Sequence, residues 1–124
     1  MPRILIIGAG LAGAAAAREL AASGKQVLIA EESGAIGGKV RGYGCKAANR
    51  SLAADTCANC GLCLTKSLWD DIEKNSLIDI HLHTKLVDLS GEKGNYNAAL
   101  KSGGTICSET DISEVIIAAG FNRR

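Results

Sequence analysis

The sequence predicts an α/β fold, a parallel sheet with a small antiparallel meander and a cysteine-rich insertion, and three observations carry that expectation. The branched apolar run Ile4-Leu5-Ile6-Ile7 leads into glycines spaced G-x-G-x-x-G and then into an alanine-rich stretch. A second apolar run, Val27-Leu28-Ile29-Ala30, follows and ends at Glu31. A third, Val115 to Ala119, again ends in a glycine, Gly120. Short continuous apolar runs bounded by turn residues read as fully buried strands. Strands separated by a helical stretch read as parallel βαβ units.

Taken in order, the first strand reaches Ile7 and needs a sharp turn, which Gly8 supplies. Gly10 allows a backbone to approach a diphosphate, and Gly13 allows helix and strand to pack closely. With Leu11 and Ala12 they place the N-terminus of a helix at an anion. The helix is expected from Leu11 to Ala22, since Ala14 to Ala17 and Leu20 favour it, and Ser23-Gly24 supplies a glycine C-cap. Glu31 lies 18 residues beyond Gly13, close to the ~20-residue offset at which an acid meets ribose hydroxyls. Glu32 stands beside it. A plain strand-turn-helix needs no acid at that position.

From Glu32 to Arg50 the pattern is a long glycine-bearing loop, and loops of more than ~12–15 residues in compact domains are usually functional or disordered. Gly37, Gly38 and Lys39 fall within it, offering backbone freedom and a cation next to Glu31. Thr65 to Asn75 holds Leu68, Trp69 and Ile72 at helical spacing, with Thr65 or Ser67 available as N-cap and Asn75-Ser76 as the end. The period then becomes two: Ile78, Ile80 and Leu82 against Asp79, His81 and His83. The two histidines read as a solvated strand face rather than metal ligands. Strands over Lys85 to Leu89, Tyr96 to Leu100 and Thr105 to Cys107 follow, with turns at Ser90 to Asn95 and Lys101 to Gly104, an antiparallel meander.

Composition bounds the rest. The chain of 124 residues carries 14 basic and 13 acidic residues, a net charge of +1, with no long run of either sign, which argues against a polyanion-binding surface such as one for nucleic acid. No stretch approaches the ~20 apolar residues of a membrane span, and Ile4 to Ile7 is too short for a secretory leader; a cytoplasmic location is expected. Five cysteines then suggest metal or redox chemistry rather than structural disulfides.

Cys57, Cys60 and Cys63 have C-x-x-C-x-x-C spacing, which lets three soft thiolates face one centre. Bacterial ferredoxin runs begin this way and add a further cysteine three residues on, before a proline. Here Leu64 to Ser67 occupy that ground, so a fourth ligand must come from elsewhere. Cys45 is the natural candidate. Cys107 is the reserve, although its place in the meander suggests a small core hydrophobe. A [4Fe–4S] cluster, a zinc knot and an exchanging dithiol all remain open. Zinc has no redox chemistry, so an electron-transfer role favours the cluster, while zinc with a degenerate dinucleotide site would suit a non-catalytic assembly module.

These residues together resemble the flavoprotein A subunit of heterodisulfide reductases. The resemblance rests on Gly8 to Gly13, on Glu31 with Gly37-Gly38-Lys39, on Cys57 to Cys63, on Leu86 to Tyr96, and on Val115 to Phe121. It implies a Rossmann-like FAD/NAD(P)-binding domain holding FAD. The glycine turn would hold the pyrophosphate, Glu31 the adenosine ribose, and the backbone near Val87 the adenine, with Ala119 and Gly120 closing the site. It further implies an oxidoreductase subunit that works with other electron-transfer subunits and passes electrons between FAD and a [4Fe–4S] cluster, ligated by Cys45, Cys57, Cys60 and Cys63. Residues 1–124 are expected to form one partial domain, with the insertion at about 41–66 and the meander at about 85–108. Such proteins continue into a second nucleotide-binding domain and then a segment that contacts the ribityl chain. A fragment, or a partner polypeptide that supplies the missing half, is therefore expected.

Overall fold

The computed structural model describes residues 2–38 and 65–120. In chain order these form β1 (Arg3–Ile7), α1 (Leu11–Ala22), β2 (Gln26–Ala30), α2 (Lys66–Lys74), β3 (Ile78–His81), β4 (Thr84–Glu92), β5 (Asn95–Ser102) and β6 (Thr105–Ile117). The strands make one mixed sheet in the order β3-β2-β1-β6-β5-β4. β1 runs parallel to β2 and to the second half of β6, and β2 runs parallel to β3. β4, β5 and the first half of β6 form the antiparallel meander.

The continuous apolar runs of β1 and β2 follow from burial on both faces. On one face Ile4, Ile6, Val27 and Ile29 pack against Ala14, Ala17 and Ala21 of α1 and Leu68 and Ile72 of α2. Alanine at those helix positions keeps α1 close to the sheet. On the other face Leu5, Leu28 and Ala30 pack against Ala98, Leu100 and Ile112 of the meander. Leu5, Ile6, Leu28, Ile29, Ile72 and Ile112 are all fully buried, and each contributes about 1.5–3 kcal/mol of hydrophobic stabilisation.

α1 spans the residues expected of it, and Gly24 beyond its end has φ +83°. α2 carries no side-chain cap bond at Thr65. Instead its apolar face docks it, and at its end Asn75 Oδ1 accepts the Leu77 N–H at 3.0 Å. Arg18 and Asp71 add an exposed ion pair between the helices at 3.7 Å. β3 ends at His81, so Leu82 and His83 leave the strand face predicted for them and form the connection to β4. His81 stays half-exposed, its Nε2 3.0 Å from Asp79 Oδ2.

β6 is the main departure from expectation. The sequence suggests two separate strands, Thr105 to Cys107 and one from Glu114; the structure has a single 13-residue strand. The polar string Ser108 to Asp111 hides it, because that segment is held by backbone pairing to β5 rather than by an apolar face. The register slips twice: Ala98 pairs Glu109 whereas Tyr96 pairs Ile112, and Arg3 pairs Ile112 whereas Ile4 pairs Glu114. Bulges of this kind bend a strand and sharpen its twist, and Asp111 at the bend has φ +59°. The bend lays the meander over Leu5 and Leu28. Arg3 fastens it, its Nη2 donating to Glu109 Oε2 at 2.7 Å and to the Thr110 carbonyl at 3.2 Å.

Two smaller expectations are corrected. The hairpin turns are only Lys93-Gly94 and Gly103-Gly104, because ladder pairing continues to Glu92 with Asn95 and to Ser102 with Thr105. Cys107 is exposed rather than a core hydrophobe. The first half of β6 pairs with β5 alone, since β1 reaches only from Ile112 onward. Among the described residues, no helix is long and apolar enough to cross a membrane.

Candidate dinucleotide site

The C-terminal ends of β1, β2 and β6 meet the start of β4 at one place, and short backbone bonds fix them there. Gly8 N–H donates to the Ala30 carbonyl at 2.9 Å, and Ala118 N–H to the Ile7 carbonyl at 2.8 Å. Glu31 N–H donates to the His81 carbonyl and Thr84 N–H to the Glu31 carbonyl, each at 2.8 Å. Between these ends lies a cavity of about 340 Å³ lined by Ile7, Gly8, Ala30, Glu31, Glu32, Thr84, Lys85, Leu86, Ile117 and Ala119. Ligands of open α/β sheets bind in such crevices beyond the strand ends. A separate cavity of about 530 Å³ lies between the 34–36 loop, Glu73 and β3, away from the glycine turn.

The three glycines of the turn have different reasons to be glycine. Gly8 has φ +110°, and a Cβ there would fall 2.2 Å from the Ala118 carbonyl oxygen. A Cβ on Gly13 would fall 2.0 Å from the Gly8 carbonyl oxygen. Both are demanded by the protein's own packing. Gly10 is not, among the described residues: its φ is −77°, and the nearest of their atoms to a Cβ there is Gly38 Cα at 3.8 Å, an ordinary contact. What a side chain at Gly10 would obstruct is the space outside the turn.

That space lies at the N-terminus of α1. Gly10 is the N-cap, no side chain among the described residues caps the helix, and its first turn has no acid. The positive end of the helix dipole is therefore left for an external anion. The 37–38 loop closes over the turn. Gly37 N–H donates to the Ala9 carbonyl at 2.8 Å, and Gly38, at φ +54°, would bring a Cβ to 3.0 Å from Gly10 Cα.

Glu31 links turn and cavity. Its Oε1 accepts the Ala9 N–H at 2.7 Å, and its Oε2 accepts the Ser33 N–H at 2.8 Å and the Ser33 hydroxyl at 2.7 Å. Burial pushes the carboxyl up, but the Ala9 and Ser33 donors together outweigh it and hold the group below the usual glutamate range. Glu31 is thus ionised at neutral pH, an acceptor with nothing to donate.

The structure brings most of the sequence-predicted residues to this end of the sheet. Gly8, Glu31, Glu32 and Ala119 line the cavity; Gly10, Leu11, Ala12 and Gly13 form the turn and the first helical turn, with Leu11 and Ala12 exposed. Gly38 lies against Gly10, and Gly120 is exposed just past Ala119. Val87 is exposed where the β4–β5 register slips between Leu86 and Asp88. Lys39, Cys45, Cys57, Cys60 and Cys63, and with them the insertion up to residue 64, lie outside the described residues.

Sequence reasoning missed Thr84, Lys85 and Leu86. Thr84 is buried, and its hydroxyl donates to the Leu82 carbonyl at 2.8 Å. The available signal was the absence of a loop between the strand ending near His81 and the one beginning near Lys85. So short a connection forces the start of β4 against the end of β2.

A parallel βαβ unit with a glycine turn at an uncapped helix and an acid ending the second strand defines a dinucleotide-binding domain with the Rossmann-like fold. The chain belongs to the NAD(P)-binding Rossmann-like domain family, whose model matches residues 6–70, just over half of it. Over 97 residues it is 32% identical to the A subunit of the ferredoxin:CoB-CoM heterodisulfide reductase of Methanosarcina acetivorans, an alignment that covers 78% of this chain and 12% of that protein. It is 51% identical over 41 residues to an L-amino-acid oxidase of Crotalus adamanteus, covering 33% of this chain and 8% of that one. The chain thus spans about an eighth or less of these relatives' lengths. Among solved structures, L-proline dehydrogenase from P. horikoshii superposes with a TM-score of 0.74 at 22% identity, over 96% of this chain and 22% of that one. That likeness speaks to the fold alone.

Proposed function

We propose that this chain forms the adenosine-and-diphosphate half of an FAD site in an oxidoreductase subunit, where electrons pass between flavin and a [4Fe–4S] cluster. The observation that carries the reading is Gly10, a glycine with no steric reason among the described residues to be one, at a helix N-terminus that none of their side chains caps. The backbone of Gly10, Leu11, Ala12 and Gly13 holds the diphosphate. Glu31 accepts the ribose hydroxyls, with Glu32, Ala119 and Gly120 around the nucleoside. The 37–38 loop, through Gly38, covers the diphosphate, and Lys39 supplies a cation for it. Val87, with no partner of its own in the β4–β5 ladder, offers its backbone to the adenine. When bound, FAD supplies two-electron and one-electron redox chemistry.

Cys45, Cys57, Cys60 and Cys63 are the donor set for the cluster, since soft thiolates suit iron–sulfur centres. The similarity to the A subunit of a heterodisulfide reductase supports an electron-transfer role beside other redox subunits; a cytoplasmic location is part of the proposal. The cysteine-rich insertion of this domain falls at about 41–66. The full chain, reconstituted anaerobically with FAD, iron and sulfide and then desalted, should retain flavin absorption together with protein-bound iron and acid-labile sulfide. Folded protein that retains neither flavin nor iron would overturn the proposal. Zinc in place of iron, without flavin, would favour the assembly-module reading.

A further inference from the structure

In the dinucleotide-site reading, on which this inference rests, Glu31 accepts the two adjacent hydroxyls of a ribose, and the acceptor count does not yet allow it. An ionised carboxylate has about four lone-pair sites. Ala9 N–H occupies one on Oε1; Ser33 N–H and the Ser33 hydroxyl occupy two on Oε2. Among the described residues, one site remains, and it is on Oε1. A vicinal diol held across a carboxylate needs one on each oxygen.

The Ser33 hydroxyl resolves the conflict. It carries a single proton and has two acceptors in reach, Glu31 Oε2 at 2.7 Å and the Ala35 carbonyl at 2.9 Å. We propose that Ser33 is a switchable donor for Glu31: its hydroxyl turns from Oε2 to the Ala35 carbonyl when a ribose diol arrives, and the carboxylate then takes one ligand hydroxyl on each oxygen. The Ser33 N–H stays on Oε2, so the carboxylate is held in place while its free site appears. Ser33 itself is not among the residues lining the cavity; it is a positioning residue that acts through Glu31.

The exchange makes the site tolerant. Binding a diol trades a charge-assisted bond for a neutral one about half as strong, whereas a ligand with a single ribose hydroxyl uses the Oε1 site and needs no exchange. Wild type should therefore favour the diol less than a Glu31 whose Oε2 is already free. The probes are ADP and 2′-deoxy-ADP, titrated calorimetrically against the full chain. Ser33→Ala keeps the N–H and removes the competing proton, so the ratio of ADP to 2′-deoxy-ADP affinity should rise about fivefold, and Ser33→Thr should return it to the wild-type value. A ratio that is unchanged or lower in Ser33→Ala, or a Thr variant that behaves like Ala, overturns the switch while leaving the nucleotide site standing. Failure of wild type to bind ADP at all overturns both.

Discussion

Replacing Gly13 and Gly10 separately by alanine tests whether the two glycines serve the fold and the ligand respectively. At Gly13 the new Cβ would sit 2.0 Å from the Gly8 carbonyl oxygen and 3.3 Å from the Ile6 side chain. Relief requires α1 to move away from β1, disturbing contacts to fully buried Ile6 and Ile29. Overpacking of this kind costs about 1–3 kcal/mol or more, and here backbone, not a flexible side chain, must give way, so the upper end applies. Alanine recovers about 1 kcal/mol of helix propensity over glycine. The net loss is about 2 kcal/mol, which for a domain of this size lowers Tm by about 8 °C.

At Gly10 the nearest atom of the described residues lies at 3.8 Å, so among them the Cβ fits. The remaining cost, glycine being the better N-cap, is below about 1 kcal/mol. Urea unfolding should therefore give Gly10→Ala near wild type and Gly13→Ala well below it. Nucleotide titration should show the reverse dissociation of effects for Gly10→Ala, a stable protein whose ADP affinity falls at least about tenfold because the diphosphate can no longer approach the helix N-terminus. Equal destabilisation by the two substitutions, or full ADP affinity in Gly10→Ala, would refute the division of roles.

Two further outcomes can be measured on the same material. Because Glu31 has a lowered folded-state pKa, its ionisation contributes stability that is present above the ordinary glutamate range and is lost as pH falls below that range and through the folded value; Glu31→Gln should flatten this acid limb of a urea-midpoint profile, and an unchanged limb would contradict the bonding described. Asp111, at φ +59° in the bend of β6, tolerates the left-handed region as a short polar residue; Asp111→Val should cost about 1–2 kcal/mol, with Asp111→Gly near neutral in the same denaturation assay.

The parallel half of the fold and the outline of the site are legible in the amino-acid order. Ile4 to Ile7 and Val27 to Ala30 are strands because continuous apolar runs can be satisfied only by burial on both faces. Gly8 and Gly13 state a turn and a close crossing, and Glu31 states an acceptor at a fixed offset, all of them local or near-local signals. Whatever depends on distant pairing emerges only in the folded chain. β6 is one strand because β5 and β1 each supply a ladder to part of it, and no periodicity within Ser108 to Asp111 records that. Cys107 is exposed because β1 does not extend alongside it. Thr84 to Leu86 reach the cavity because β4 starts beside the end of β2, and Ser33 meets both Glu31 and Ala35 because the 31–35 backbone folds back on itself. These are contacts between residues whose types permit many arrangements, and only packing selects one.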